Sequence, residues 1–347
     1  MVSLLGLDPE SYTPSALHDP DRTFRETNCY VDLWIELLHA CGIDAASAMA
    51  FACTVDFEGD QWTFFKPPPE ELVRLYGIDV HEMQLYRPMV EHILEQLDAG
   101  RTMIIEVDSH YLPDTAGTSY RRNHVKSSIA VEAISPATER LRYFHGAGYH
   151  ELSGEDYRGV FRLGRAFSED VLPPYVEVVR FDAGPRLKGE HLRRAAHEGL
   201  RRQLALRPRH NPWMAFGQKL AKDLPKLLAG TEDQYHAYAF ATVRQCGAAF
   251  EAARSFVEWL AAGPEEAASA EAVCAIDALG RQVNGAKSLL FKLARRRAFD
   301  TTPAIEELAK SWDTTMNALD RWVREPFDSA RGSMAAAPGH SERNAPW

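Results

Sequence analysis

In the stretch "NCYVDLWIELLHACGID" apolar residues recur at Val31, Leu33, Trp34, Leu37 and Leu38, a spacing that predicts an amphipathic helix over 29–41 closed by Gly42. "PMVEHILEQLDAG" predicts a second helix over 88–99, with Pro88 near its start and Gly100 after its end. The period then changes. "TMIIEVD" (102–108), "KSSIAVEAI" (126–134), "RLRYFH" (140–145) and "YVEVVRF" (175–181) read as strands, and "SPATE" supplies a hairpin connection. "AMAFACTVDF" resembles a buried strand carrying Cys53.

From about residue 187 helical periodicity dominates. Alanine is abundant and β-branched residues thin out through "EHLRRAAHEGLRRQLALR", "QYHAYAFATVRQCGAAFEAARSFVEWLAAG" and the segments that follow. The expected fold class is α+β: a domain over 1–186 with a largely antiparallel sheet, followed by an all-helical domain over 187–326. Residues 327–347 are small, polar and rich in Pro and Gly, which predicts a disordered tail.

The chain has 347 residues, 45% hydrophobic and 25% charged, enough for two domains with sizeable cores. Its formal net charge of −10 argues against a general nucleic-acid binder. No apolar run reaches membrane-spanning length, and "MVSLLGLDPESYTP" lacks the features of a signal peptide. A cytoplasmic location with no membrane partner is the expectation.

The cysteines, Cys29, Cys41, Cys53, Cys246 and Cys274, are odd in number and include no CxxC pair, so neither a disulfide framework nor a thiolate zinc site is expected. Cys29 opens its helix, where unsatisfied N–H groups and the positive dipole end favour a thiolate; Thr27 or Asn28 is the candidate N-cap. Cys41 stands at the opposite end and shares a face with core leucines. Cys246 and Cys274 fall in alanine-rich helices and read as packing residues.

A thiol nucleophile needs a base and the base an orienting group. His124, heading the strand "KSSIAVEAI" after the polar loop "YLPDTAGTSYRRN", is the candidate base. If the hairpin turns about "PATE", His124 faces the region of Tyr149 and His150, leaving His145 to His150 as possible orienters. A cysteine opening an early helix, a histidine heading a later strand and a polar group on the next strand is the order of papain-like folds.

"NCYVDLWIELLHACGID", "DFEGDQWTFFKPP", "EVDSHYLPDTAG", "YRRNHVKSSIAV" and "YFHGAGYHELSGEDY" resemble the bacterial family of the domain of unknown function 1839 over most of the chain. Three of these elements, within roughly 25–145, are also similar to the N-terminal domain family of butirosin biosynthesis protein H and, more distantly, to bacteriocin-processing papain-like peptidases. That second resemblance implies an acyltransferase moving an aminoacyl group from a carrier-protein thioester to an amine through a cysteine. It puts the nucleophile at Cys29, the base at His124 and the third position near His145, with Asp108 or Asp114 as substitutes. Asn28 and the Cys29 amide would form the oxyanion site, since no Gln precedes the cysteine.

Asp56, Glu58, Gln61 and Trp62 form an acidic turn before a strand or, read functionally, a site for a substrate ammonium. Tyr111, Arg121 and Tyr149 complete the candidate substrate-binding set. The basic run "KLARRRAF" is a solvated helix face or, through Arg295, Arg296 and Arg297, a dock for an acidic carrier protein. No histidine pair has metal-ligand helical spacing, and no cofactor or metal is expected. The leading expectation is a cysteine-dependent acyltransferase using an acyl or aminoacyl thioester on a carrier protein or small molecule, with an amine acceptor. The same residues would serve a peptidase or amidase, and a degenerate fold would serve as a non-catalytic binding module.

Overall fold

The computed structural model describes residues 1–26, 28–164, 172–263 and 269–324. Thr27 and the tail expected from 327 lie outside the described residues. In chain order the elements are β1 (Val2–Ser3), α1 (Cys29–Ala40), α2 (Pro69–Tyr76), β2 (Asp79–Glu82), α3 (Met89–Asp98), β3 (Thr102–Asp108), β4 (Lys126–Ser135), β5 (Arg140–His145), β6 (Gly148–Ser153), α4 (Glu155–Val160) and β7 (Val176–Arg180). Six further helices follow: α5 (Gly189–Ala205), α6 (Pro212–Ala229), α7 (Glu232–Ala239), α8 (Gln245–Ala261), α9 (Ala270–Ala294) and α10 (Thr302–Trp322). The chain divides into two compact units, one of residues 1–20, 28–45 and 72–186, the other of 21–27, 46–71 and 187–347.

The first unit holds a wholly antiparallel sheet in the order β2-β7-β3-β4-β5-β6, with β1 pairing the end of β4. β4 is central and buried at every position after Lys126, as its apolar run requires. The register shifts between Val131 and Ala133, and Glu132 sits at that irregularity. Its buried carboxylate accepts from Ser3 Oγ (2.6 Å), Leu5 N (2.6 Å) and Tyr149 Oη. One face of the sheet, through Ile105, Val107, Ile129 and Tyr143, packs on Ile93 and Leu97 of α3 and Tyr157 and Val160 of α4. The other face carries α1, which packs across β4 and β5 and whose Tyr30 hydroxyl donates to Glu177 of β7 (2.7 Å).

α1 begins where Asn28, extended at φ −134°, accepts from Val31 N (3.0 Å), and it is buried from Val31 to Leu38. Gly42 takes φ +67°, the left-handed conformation that ends a helix at little cost only for glycine.

The second unit is a helical assembly in which α9 packs on α8 and α10, and α10 on α6. Trp213 and Phe250 stack at 5.7 Å, and Trp62 meets Trp213 edge-on at 5.0 Å. The Trp213 indole donates to Gln282 (3.0 Å), whose amide donates to Thr315 (3.0 Å), so these buried polar groups satisfy one another. The second unit takes in 46–71 together with the helices from 187 onward. Cys53 lies in a 3-10 segment, Ala45–Thr54, and not in a strand: a run of small apolar residues has no period to separate the two. Among the described residues no helix is long and apolar enough to cross a membrane.

Candidate functional site

Asp108 ends β3 directly opposite Lys126, the first residue of β4, so the loop between them returns His124 to the carboxylate it left. His124 Nδ1 lies 2.5 Å from Asp108 Oδ2, and the other carboxylate oxygen accepts from His110 N (3.0 Å). The His124 and His110 rings stack at 4.4 Å with 13° between planes. A carboxylate on Nδ1 fixes the tautomer with its lone pair on Nε2, and Nε2 has no hydrogen-bond partner among the described residues. His124 is the more open of the pair, its side chain 67% exposed against 30% for Asp108. Both line a cavity of about 770 Å³ whose wall includes Tyr86, Met89, Val90, Tyr111 and Phe161.

His145 does not orient His124. Its Nδ1 faces Asp114 Oδ2 at 2.5 Å, and its Nε2 faces Ser127 Oγ at 2.7 Å. Alternation along β4 and β5 puts Ser127 with Ile129, and His145 with Tyr143, on the face opposite α1. Alternation along β3 puts Asp108 with Ile104, whose cross-strand partner Glu177 holds Tyr30, on the α1 face. Of the candidate orienters, Asp108 is the one the fold delivers. Asp114 is a buried partner of His145 and Tyr143 (2.5 Å). Burial works against its carboxylate, but the hydrogen bond from His145 wins and holds its pKa below the ordinary value.

Ser127, His145 and Asp114 together have the order of a serine triad, which the sequence reading missed; the signal was a pair of serines opening an apolar strand. Ser127 and His145 are both buried, and neither lines the cavity. The chain Ser127–His145–Asp114–Tyr143 instead pins the loop that carries His124.

Cys29 is the first residue of α1 and only half-buried. Burial pushes the thiols of Cys41 and Cys53 up to about 12, and that of Cys246 well above its ordinary value. Cys274, expected as packing, is half-buried too, because α9 turns that position partly outward. Asn28 is buried and caps α1 through its side-chain oxygen, a bond that does not use the amide NH2 expected to donate to the oxyanion beside the Cys29 amide. One and two turns further along α1, buried Asp32 and Glu36 hold His18 from both sides.

Other candidates part company. Tyr111 lines the cavity, with the Arg121 guanidinium 5.6 Å from its ring centroid. The Arg121 charge is committed to Asp156 (2.6 Å) and Glu155 (3.2 Å). Tyr149 is core: it packs on Phe144 and Tyr12 and bonds Glu132. Trp62 is 2% exposed in the aromatic core of the second unit, so it is no substrate wall. Asp56 accepts from Phe57 N (2.6 Å) and Glu58 from Thr63 Oγ1 (2.9 Å), shaping the turn to Trp62, while Gln61 is exposed. Arg295, Arg296 and Arg297 lie beyond the end of α9 and not on a helix face; Arg296 at φ 51° donates to the Gly230 carbonyl. Among the described residues no group of three or more His, Cys, Asp or Glu is placed to hold a metal ion.

Two family models match the chain, the DUF1839 N-terminal domain over residues 13–181 and the DUF1839 C-terminal domain over 189–321. No curated protein matches it.

Proposed function

The chain belongs to the DUF1839 family, and for this member we propose cysteine-dependent acyl transfer from a thioester to an amine, with Cys29 as nucleophile, His124 as base and Asp108 as its orienter. The observation that carries the reading is the Asp108–His124 pair, with Nε2 unpartnered, in the wall of a cavity sized for a small molecule. A helix N-terminus presenting a half-buried cysteine supplies the second half.

The Cys29 thiolate attacks the thioester carbonyl carbon. The carbon–sulfur bond to the donor breaks, and the departing thiolate takes a proton from the His124 imidazolium. An amine then attacks the Cys29-bound acyl group, His124 Nε2 accepts the amine proton, and the Cys29 thiolate is regenerated. The Cys29 amide at the positive end of α1 stabilises the oxyanion in both steps. The donor is an acyl carrier protein or a small-molecule thioester.

One observation favours a second reading. His124 is two-thirds exposed, so water reaches the base and hydrolysis competes with aminolysis. The test measures thiol release from acyl-pantetheine with and without added amine. Wild type should release thiol and form amide, and Cys29→Ala and His124→Gln should each lose at least a hundredfold. Release that persists in Cys29→Ala sinks the mechanism; release without amide at any amine concentration makes the protein a hydrolase.

A further inference from the structure

Among the described residues, the wall of the cavity beside His124 carries four charged side chains and one imidazole, and each already has a partner. Glu106 pairs with Lys126 (3.1 Å), Arg87 with Glu95, and Asp108 with His124; Arg162 donates to the Leu172 carbonyl (3.2 Å). The rest of the wall is apolar or aromatic, with Met89 and Val90 opening α3 on one side and Val160, Phe161 and Leu163 on the other. An ammonium entering this space would shed water while both carboxylates of the described wall are already paired, which is a large penalty. An alkyl or aryl chain would meet the apolar and aromatic side chains that form most of the wall, and about 770 Å³ lies in the range of small-molecule sites.

We infer that the transferred group is a neutral, apolar acyl chain lodged in this cavity with its carbonyl toward His124, and not a charged aminoacyl group. The inference rests on the reading of Cys29 and His124 as acyl-transfer machinery. It departs from the aminoacyl donor that the sequence resemblance implies, because the carboxylates that the described wall offers to an ammonium, Glu106 and Asp108, are taken by Lys126 and His124.

Straight-chain carboxamides from butanamide to decanamide mimic the acyl group without reacting. Titrated into the full-length protein, they should bind about fourfold more tightly per added methylene until the cavity is full. Glycinamide and 4-aminobutanamide should bind at least tenfold more weakly than the uncharged amide of matching length. Leu163→Glu changes a position already 42% exposed, so the fold survives, and it should weaken decanamide at least tenfold more than butanamide. Val90→Trp, deeper in the wall, should collapse the chain-length dependence. Affinity flat across chain length, or tighter for the amino-substituted amides, overturns the inference. Acylation of Cys29 by short thioesters alongside such flat binding overturns the apolar substrate and leaves the mechanism standing. Chain-length-dependent binding with no Cys29 acylation upholds the cavity assignment and removes the mechanism.

Discussion

Replacing His18 by Gln removes a cation held between two buried carboxylates, and its cost can be worked from the structure. The His18 and Glu36 side chains are fully buried, with Nδ1 on Glu36 Oε1 and Nε2 3.4 Å from Asp32 Oδ1. Burial alone would push the imidazole's pKa down; hydrogen bonds to Asp32 and Glu36 override it and lift the value to about 9. Because the folded value lies above the ordinary 6.5, the stabilisation is complete below about pH 6.5 and is lost as pH rises through about 9. Holding that proton is worth up to about 3 kcal/mol. His18→Gln leaves Glu36 with Tyr12 Oη (2.5 Å) and Ser15 N (3.1 Å) but no cation, at a cost of about 3–5 kcal/mol near pH 6. That corresponds to a fall in melting temperature on the order of 10 °C. Thermal and urea melts of both proteins from pH 6 to 9.5 should show the gap closing by about 3 kcal/mol across that range. A gap that stays constant with pH would refute the buried imidazolium. The network matters to the site because Asp32 stands one turn from Cys29 on α1.

Three further outcomes follow from the geometry. Brief iodoacetamide treatment of the native protein should modify Cys29 and Cys274 and spare Cys41, Cys53 and Cys246, which peptide mapping reads directly. Asp108→Asn should lower amide formation by about two to four orders of magnitude, through loss of the productive tautomer, with the melting temperature little changed at this exposed pair; activity within threefold of wild type would remove Asp108 from the mechanism. Asp114→Ala should cost about 2–4 kcal/mol by stranding buried His145. Since the Asp114 carboxyl is held low, wild type should also lose stability as pH falls below about 4, and the variant should lack that component in acid titrations followed by circular dichroism.

Strong periodicity made much of the first unit legible. α1, α3, β3, β4, β5 and β7 appear within a residue or two of their expected bounds, because each buries an unbroken apolar face. β2 has no signature in the sequence: "DVHE" is an edge strand with a single buried residue, so it carries no alternation. The sequence points to the following strand for the partner of His124, since a hairpin pairs sequence neighbours. β4 has a neighbour on each side, and it is β3, the earlier one, that brings Asp108 opposite Lys126. Trp62 illustrates the limit of local reading: its acidic flanks suggest a surface site, while Trp213, Phe216 and Phe250, more than 150 residues away, bury it.

The measurement closest to the central claim is the site of acylation. Full-length protein mixed with octanoyl-pantetheine, quenched in acid and digested, should carry one octanoyl group on the peptide containing Cys29. The adduct should be absent in Cys29→Ala, and in Asp108→Asn it should form far more slowly. An adduct on Cys274, or none on any cysteine while thiol is still released, would contradict the account.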